Sequence, residues 1–77
     1  MDFEEYKNAQ GNSGVTAFQL GKEDIKVVFD NTVYLYSYAK AGKKHVEKMK
    51  KLAKAGEGLS TYISQNVKEK YDTKYPF

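Results

Sequence analysis

Three short stretches of the chain are rich in β-branched and aromatic residues and are separated by polar turn residues, a pattern that predicts three β-strands. The stretches are VTAFQL at 15–20, DIKVVF at 24–29 and TVYLYSY at 32–38. Asp30 and Asn31 join the second stretch to the third. Both residue types tolerate a left-handed backbone, so this two-residue connection predicts a β-hairpin.

The hairpin register decides which side chains share a face of the sheet. If Phe29 lies opposite Thr32, Val27 faces Tyr34 and cross-strand partners share a face. One face then carries Ile25, Val27, Phe29, Tyr34, Tyr36 and Tyr38; the other carries Asp24, Lys26, Val28, Val33, Leu35 and Ser37. The first face is more apolar, which predicts that Tyr34 and Tyr36 pack into the core. A three-residue loop would instead turn these rings outward.

Residues 42–55 show the period of an amphipathic helix. The residues on its apolar arc are Val46, Met49, Leu52 and Ala53, with His45 at the border. The residues on the opposite arc are Lys43, Lys44, Lys48, Lys50, Lys51 and Lys54. Gly56 and Gly58 follow, and glycine commonly ends a helix.

A second helix is predicted after this break, with Ser60 as its N-cap. Its apolar stripe would consist of Leu59, Tyr62, Ile63, Val67 and Tyr71, and Pro76 would prevent further helix. We therefore predict an α+β fold, a three-stranded antiparallel β-meander followed by two helices packed on one face, in the order β-β-β-α-α. Residues 15–77 would form this single domain and residues 1–14 a mobile N-terminal segment.

The composition of the 77 residues fits one small domain. No stretch approaches the roughly 20 apolar residues that span a bilayer. The N-terminal residues MDFEEYKN do not resemble a secretory signal, so a soluble, cytoplasmic protein is expected. The net charge is +3, and all 13 basic residues are lysine. Lysine provides a point charge without the planar fork by which arginine reads guanine.

The order of these motifs resembles the KTSC family, which is named for the C-terminus of some lysyl-tRNA synthetases and also includes small stand-alone bacterial proteins. The matching features are Val33-Tyr34-Leu35-Tyr36, the helix with Val46, Met49 and Leu52, the segment GEGLSTYISQNV, and Tyr75-Pro76. The resemblance covers residues 15–76 and implies a domain without established activity, for which RNA binding has been suggested. Ser60 replaces a common asparagine of the family. Lysines 68, 70 and 74 stand where family members often have arginine.

The sequence contains little that indicates catalysis. There is no cysteine, and His45 is the single histidine. We therefore expect His45 to be structural, and we expect no metal, no cofactor and no small-molecule substrate. The glycine pair at 56 and 58 is too close for a phosphate-binding loop. We predict that the protein is not an enzyme.

Charge and aromatic content favour binding to RNA or another single-stranded nucleic acid, weakly and without sequence preference. The residues predicted to bind it are Lys43, Lys44, Lys48, Lys50, Lys51, Lys54, Lys68, Tyr71, Lys74 and Tyr75. The alternative is that these lysines only solvate a helix face. The alternative function is a protein-interaction or accessory module that binds another protein or forms a homodimer. An exposed sheet face with Val28, Val33 and Leu35 would mediate that contact.

Overall fold

A five-stranded antiparallel sheet forms the centre of the protein in the computed structural model, which describes residues 3–8 and 14–77. The strands follow one another in space as they do in sequence: β1 (Glu4–Glu5), β2 (Val15–Leu20), β3 (Asp24–Phe29), β4 (Thr32–Ser37) and β5 (Thr73–Pro76). The predicted α+β class is confirmed. The predicted meander corresponds to β2, β3 and β4, and the structure adds an edge strand on each side.

The hairpin between β3 and β4 has the predicted register. Phe29 pairs with Thr32, Val27 with Tyr34 and Ile25 with Tyr36. Asp30 and Asn31 adopt φ values of 51° and 60°, the left-handed conformation that a two-residue hairpin turn requires. The turn therefore sets the face on which each side chain of β3 and β4 lies.

The helical layer is more divided than the predicted pair of helices. It consists of α1 (Tyr38–Ala41), α2 (Lys43–Ala55), α3 (Leu59–Tyr62) and a π-helical turn (Ile63–Val67). Tyr38 was predicted to end a strand, but the Ser37 hydroxyl accepts a hydrogen bond from the Lys40 backbone N–H and starts α1 there. Helix α2 matches its predicted range to within one residue, and Gly56 ends it at φ 78°.

The last predicted helix differs most from the structure. Gly58, at φ 79°, is the N-cap of α3, so Ser60 does not have the predicted capping role. The π-helical turn ends at Val67, and the chain extends again as β5 from Thr73 to Pro76. Proline is tolerated there because β5 is an edge strand.

The hydrophobic core lies between one sheet face and the helical layer. Sheet residues in the core include Phe18, Ile25, Val27 and Tyr36, and the helices contribute Val46, Met49, Ala53, Leu59, Ile63 and Val67. Tyr36 is only 2% exposed, so its predicted burial is confirmed, while Tyr34 is half-buried at the edge of the core.

The opposite sheet face corrects one prediction. Val28 and Val33 were expected to form an exposed apolar patch, but their exposed fractions are 0% and 1%, and Leu35 is half-buried. These valines offer no surface to a partner. A contact through this face would have to use other residues.

The N-terminal residues 3–8 also belong to the fold. Glu4 and Glu5 pair with Phe18 and Ala17 of β2, and Tyr6 is a core residue with 4% exposure. The predicted domain start at residue 15 is therefore too late. Residues 1–2 and 9–13 of the predicted mobile segment lie outside the described residues.

Candidate nucleic-acid interface

Helix α2 separates apolar from basic residues as its sequence period predicts. Val46, Met49 and Ala53 are buried against the sheet. Five lysines of the opposite arc are exposed, and we refer to them as the lysine face: Lys43, Lys44, Lys48, Lys51 and Lys54. Their ammonium groups are held on one side of a single rigid element.

Lys50 does not belong to this face, although it was predicted to bind nucleic acid. Its side chain is 13% exposed. Its Nζ donates hydrogen bonds to the carbonyl oxygens of Gly21 at 2.7 Å and Lys22 at 3.2 Å. Residue 50 lies one helical turn after buried Val46, so its stem runs along the flank of the core. Lys50 thus ties α2 to the turn between β2 and β3.

Glu47 is the only acidic residue in α2, and its charge is engaged within the protein. It accepts a hydrogen bond from the Tyr38 hydroxyl and forms a 3.3 Å ion pair with Lys50. These contacts lower the pKa of Glu47, with the Tyr38 hydrogen bond as the largest cause. The same hydrogen bond is the main cause that raises the pKa of Tyr38. The acid therefore compensates Lys50 more directly than it compensates the exposed lysines.

A shallow groove of about 550 Å³ runs along this side of α2. Its walls are formed by Lys44, Glu47, Lys48, Lys51 and Tyr62. The Tyr62 hydroxyl lies 2.7 Å from His45 Nδ1, which joins α3 to α2. His45 therefore has a hydrogen-bond partner within the protein.

The C-terminal candidates divide into two groups. Lys68, Tyr71 and Lys74 line one cavity between the sheet and the π-helical turn. Tyr75 does not join them, because it pairs with Val33 on the opposite sheet face, where it is 41% exposed. The structure therefore brings three of the four predicted residues together and separates Tyr75 from them.

This cavity, which we call the tyrosine cavity, has a volume of about 510 Å³. Its aromatic lining is Phe29, Tyr34, Tyr36 and Tyr71, and its polar lining is Ser60, Ser64, Lys68, Glu69 and Lys74. Sequence reasoning assigned Tyr34 and Tyr36 to packing alone. It missed the cavity because β5 and the π-helical turn, which complete the wall, were not predicted.

The Tyr71 ring makes edge-to-face contacts with the rings of Tyr34 and Tyr36. The Tyr71 ring centroid lies 5.2 Å from that of Tyr34 and 6.4 Å from that of Tyr36, with interplanar angles of 75° and 89°. Lys74 Nζ lies 6.0 Å from the Tyr34 centroid and 5.8 Å from the Tyr71 centroid, within reach of a cation–π interaction. Burial, and then the neighbouring Tyr34 and Tyr71, raise the pKa of Tyr36 to about 12.

Comparison with family models, with curated proteins and with solved structures gives no match for this chain. In residues 3–8 and 14–77, no cluster of three or more His, Cys, Asp or Glu side chains could hold a metal ion. In the same part of the chain, no helix is long and apolar enough to cross a membrane.

Proposed function

We propose that this protein is a small, non-enzymatic module that binds RNA or another single-stranded nucleic acid through the lysine face. One observation carries the proposal: α2 presents five exposed lysines on one side, while its only acid pairs with Lys50 and Tyr38. Phosphates are attracted to such a surface independently of base sequence. Lysine in place of arginine favours general attraction over base readout.

The expected affinity is weak and depends strongly on salt. Each phosphate contact to a single strand adds about 0.7 to the slope of log affinity against log salt. Three contacts, from Lys44, Lys48 and Lys51, give a slope of about −2. Affinity would then fall roughly 20-fold between about 50 mM and 200 mM salt.

The test is a titration of a fluorescently labelled single-stranded RNA, followed by anisotropy at several salt concentrations. In the first variant, Lys44, Lys48 and Lys51 are changed together to glutamate. In the control variant, the exposed Lys22, Lys40 and Lys70 are changed in the same way, and both changes take the net charge from +3 to −3 (3 − 6).

We expect the lysine-face variant to lose binding and the control variant to retain most of it. Equal loss in both folded variants would mean that net charge alone attracts the RNA. Equal retention would remove α2 from the interface. Either result contradicts the proposal.

We also propose membership in the KTSC family. The support is the resemblance of the residues: the Y-x-Y pair at 34 and 36, the helix with Val46 and Met49, the segment from Gly56 to Val67, and Tyr75-Pro76. In the structure, the Y-x-Y pair and part of that segment line the same cavity. An alignment of KTSC sequences that places these tyrosines in the same columns would test the assignment.

The alternative function, an interaction module, has one observation in its favour. Tyr75 and Phe77 are the large hydrophobic residues that remain exposed in the described part of the chain, at 41% and 65%, and both lie at the β5 edge. Strand addition at such an edge is a common mode of protein recognition. Sedimentation over a wide concentration range, with Tyr75→Ser and Phe77→Ser, would reveal self-association that depends on this edge.

A further inference from the structure

The tyrosine cavity combines an apolar floor with a polar rim. Val27 and Phe29 contribute the floor from β3, and Ile63 closes it from the π-helical turn. Its volume of about 510 Å³ falls within the roughly 300–1,000 Å³ of pockets that hold small ligands. The cavity can therefore hold a small ligand whose flat, partly apolar group lies on this floor.

The π-helical turn shapes one wall of the cavity. Such turns are rare and frequently occur at functional sites. Ser64 lies in the π-helical turn and Ser60 lies four residues earlier, so the two hydroxyls are on the same side of the element. Both line the cavity.

The tyrosine hydroxyls give the cavity further hydrogen-bonding capacity. Within the described part of the chain, the hydroxyls of Tyr34, Tyr36 and Tyr71 make no hydrogen bond to protein, and none is a buried, unpaired group. A tyrosine hydroxyl is protonated at neutral pH, so the Tyr36 hydroxyl can donate a hydrogen bond as well as accept one. Tyr34 and Tyr71 are half-buried, so part of each ring can be reached from outside.

The charge at the rim is positive. Lys68 and Lys74 stand against one acid, Glu69. Lys74 Nζ lies 6.0 Å from the Tyr34 ring centroid and 5.8 Å from that of Tyr71, so one ammonium group is close to two aromatic rings. A ligand with a flat ring and a neighbouring anionic group would use all of these features together.

We propose that the tyrosine cavity binds a nucleotide, with the base against the rings of Tyr34 and Tyr71 and the phosphate at Lys68 and Lys74. The nucleotide can be free or part of a single strand, because both present the same base and phosphate. Bases stack on aromatic side chains irrespective of sequence. Serine and tyrosine hydroxyls at the wall can bond to base edges or ribose.

This site shares no residue with the lysine face, so the two proposals can fail separately. If it holds a nucleotide of a strand, it deepens the proposed function by adding a base-binding position to a phosphate-binding surface. If it holds only a free nucleotide, it is an independent activity of the same small domain.

The experiment records amide shifts of the isotope-labelled full chain during titration with adenosine monophosphate, adenosine, inorganic phosphate and a short oligoadenylate. We expect the nucleotide to shift amides around Tyr34, Ser64, Tyr71 and Lys74. Adenosine or phosphate alone should bind about tenfold more weakly, because each lacks one half of the interaction.

Two pairs of variants locate the binding. Ser64→Trp fills the cavity, and Gln65→Trp places the same ring on an exposed neighbour that does not line it. Lys68→Gln with Lys74→Gln removes the rim charge, and Lys22→Gln with Lys70→Gln removes equal charge elsewhere. The charge pair makes no change within the apolar floor, so it remains informative if Ser64→Trp fails to fold.

Loss of nucleotide binding of about tenfold or more in the cavity variants, with retention in their controls, supports the site. Binding of the mononucleotide then identifies a free ligand as one source. Binding of the oligoadenylate alone, lost in the same variants, identifies a strand. The proposal is overturned if neither probe shifts the cavity residues, if phosphate alone reproduces the shifts, or if cavity and control variants lose binding equally.

Discussion

Tyr6 should be one of the residues on which the stability of this domain depends most. It is 4% exposed, and its hydroxyl accepts a hydrogen bond from the Leu59 backbone N–H at 3.3 Å. Leu59 is the first residue of α3 and is fully buried. Tyr6→Phe keeps the ring and removes the acceptor, whereas Tyr6→Ala removes both.

The two changes should differ severalfold in cost. An unpaired buried N–H costs about 1–3 kcal/mol. Because the bond from Leu59 N–H is long, we expect Tyr6→Phe to lose about 1 kcal/mol, the lower end of this range. Truncation of a buried aromatic ring costs about 3–5 kcal/mol. A domain of 77 residues has a total free energy of unfolding of about 4–12 kcal/mol. Tyr6→Ala therefore removes a large part of the stability.

Thermal and urea unfolding followed by circular dichroism measures both effects. For a domain of this size, Tm falls by about 4–8 °C for each kcal/mol lost. We expect Tyr6→Phe to lower Tm by about that amount and Tyr6→Ala by at least about 12 °C. Tyr75→Phe and Tyr75→Ala are the matched controls, because Tyr75 is 41% exposed. If Tyr6→Ala were no more destabilising than Tyr75→Ala, residues 3–8 would not be part of the core.

Three further predictions concern Gly56 at the end of α2, the ionisation of Tyr36 and the hydrogen bonds of Lys50. Gly56→Ala should lower the free energy of unfolding in urea more than Gly58→Ala. Both glycines have positive φ, but only at residue 56 would the alanine Cβ lie 2.6 Å from Lys7 Cβ. Equal losses would contradict the packing of Lys7 against Gly56. Since the folded pKa of Tyr36 is about 12 and its ordinary value is 10.0, folding stability should decline as pH rises from 10 to 12, and Tyr36→Phe should flatten that decline in denaturation measured against pH. Lys50→Met should cost about 1–2 kcal/mol in the same assay, because two carbonyl oxygens lose their donor, and an unchanged free energy of unfolding would show that those bonds contribute nothing.

The features predictable from sequence are those in which a local pattern and a tertiary contact agree. Asp30 and Asn31 permit the left-handed turn, and the alternation beside them fixes which residues face the core, so the register of β3 and β4 follows from about a dozen residues. Helix α2 is predictable for the same reason: Val46, Met49 and Ala53 recur at the helical period, and Gly56 adopts the left-handed conformation that ends it.

The features that were missed depend on partners far away in sequence. Strand β5 is exposed at all four residues and pairs with β4 about 40 positions earlier, so it has no alternating pattern of its own. Strand β1 has only two residues. The tyrosine cavity was missed with them, since Lys74 reaches it only because β5 pairs beside β4. The π-helical turn has no recognisable sequence signal.

The number of lysines that are exposed in the structure limits how steeply nucleic-acid affinity can depend on salt. This number is smaller than the number of lysines in the sequence. Helix α2 contains six lysines, but Lys50 uses its ammonium within the protein, which leaves five. With Lys68 and Lys74 at the tyrosine cavity, seven contacts at about 0.7 each give a slope no steeper than about −5 for a single strand that spans both sites. A strand that contacts the lysine face alone cannot exceed about −3.5. Suppose that the slope lies between about −3.5 and about −5 and becomes shallower than about −3.5 when Lys68 and Lys74 are neutralised; this result would show that one strand reaches both surfaces. A slope steeper than about −5 would require lysines that neither surface contains.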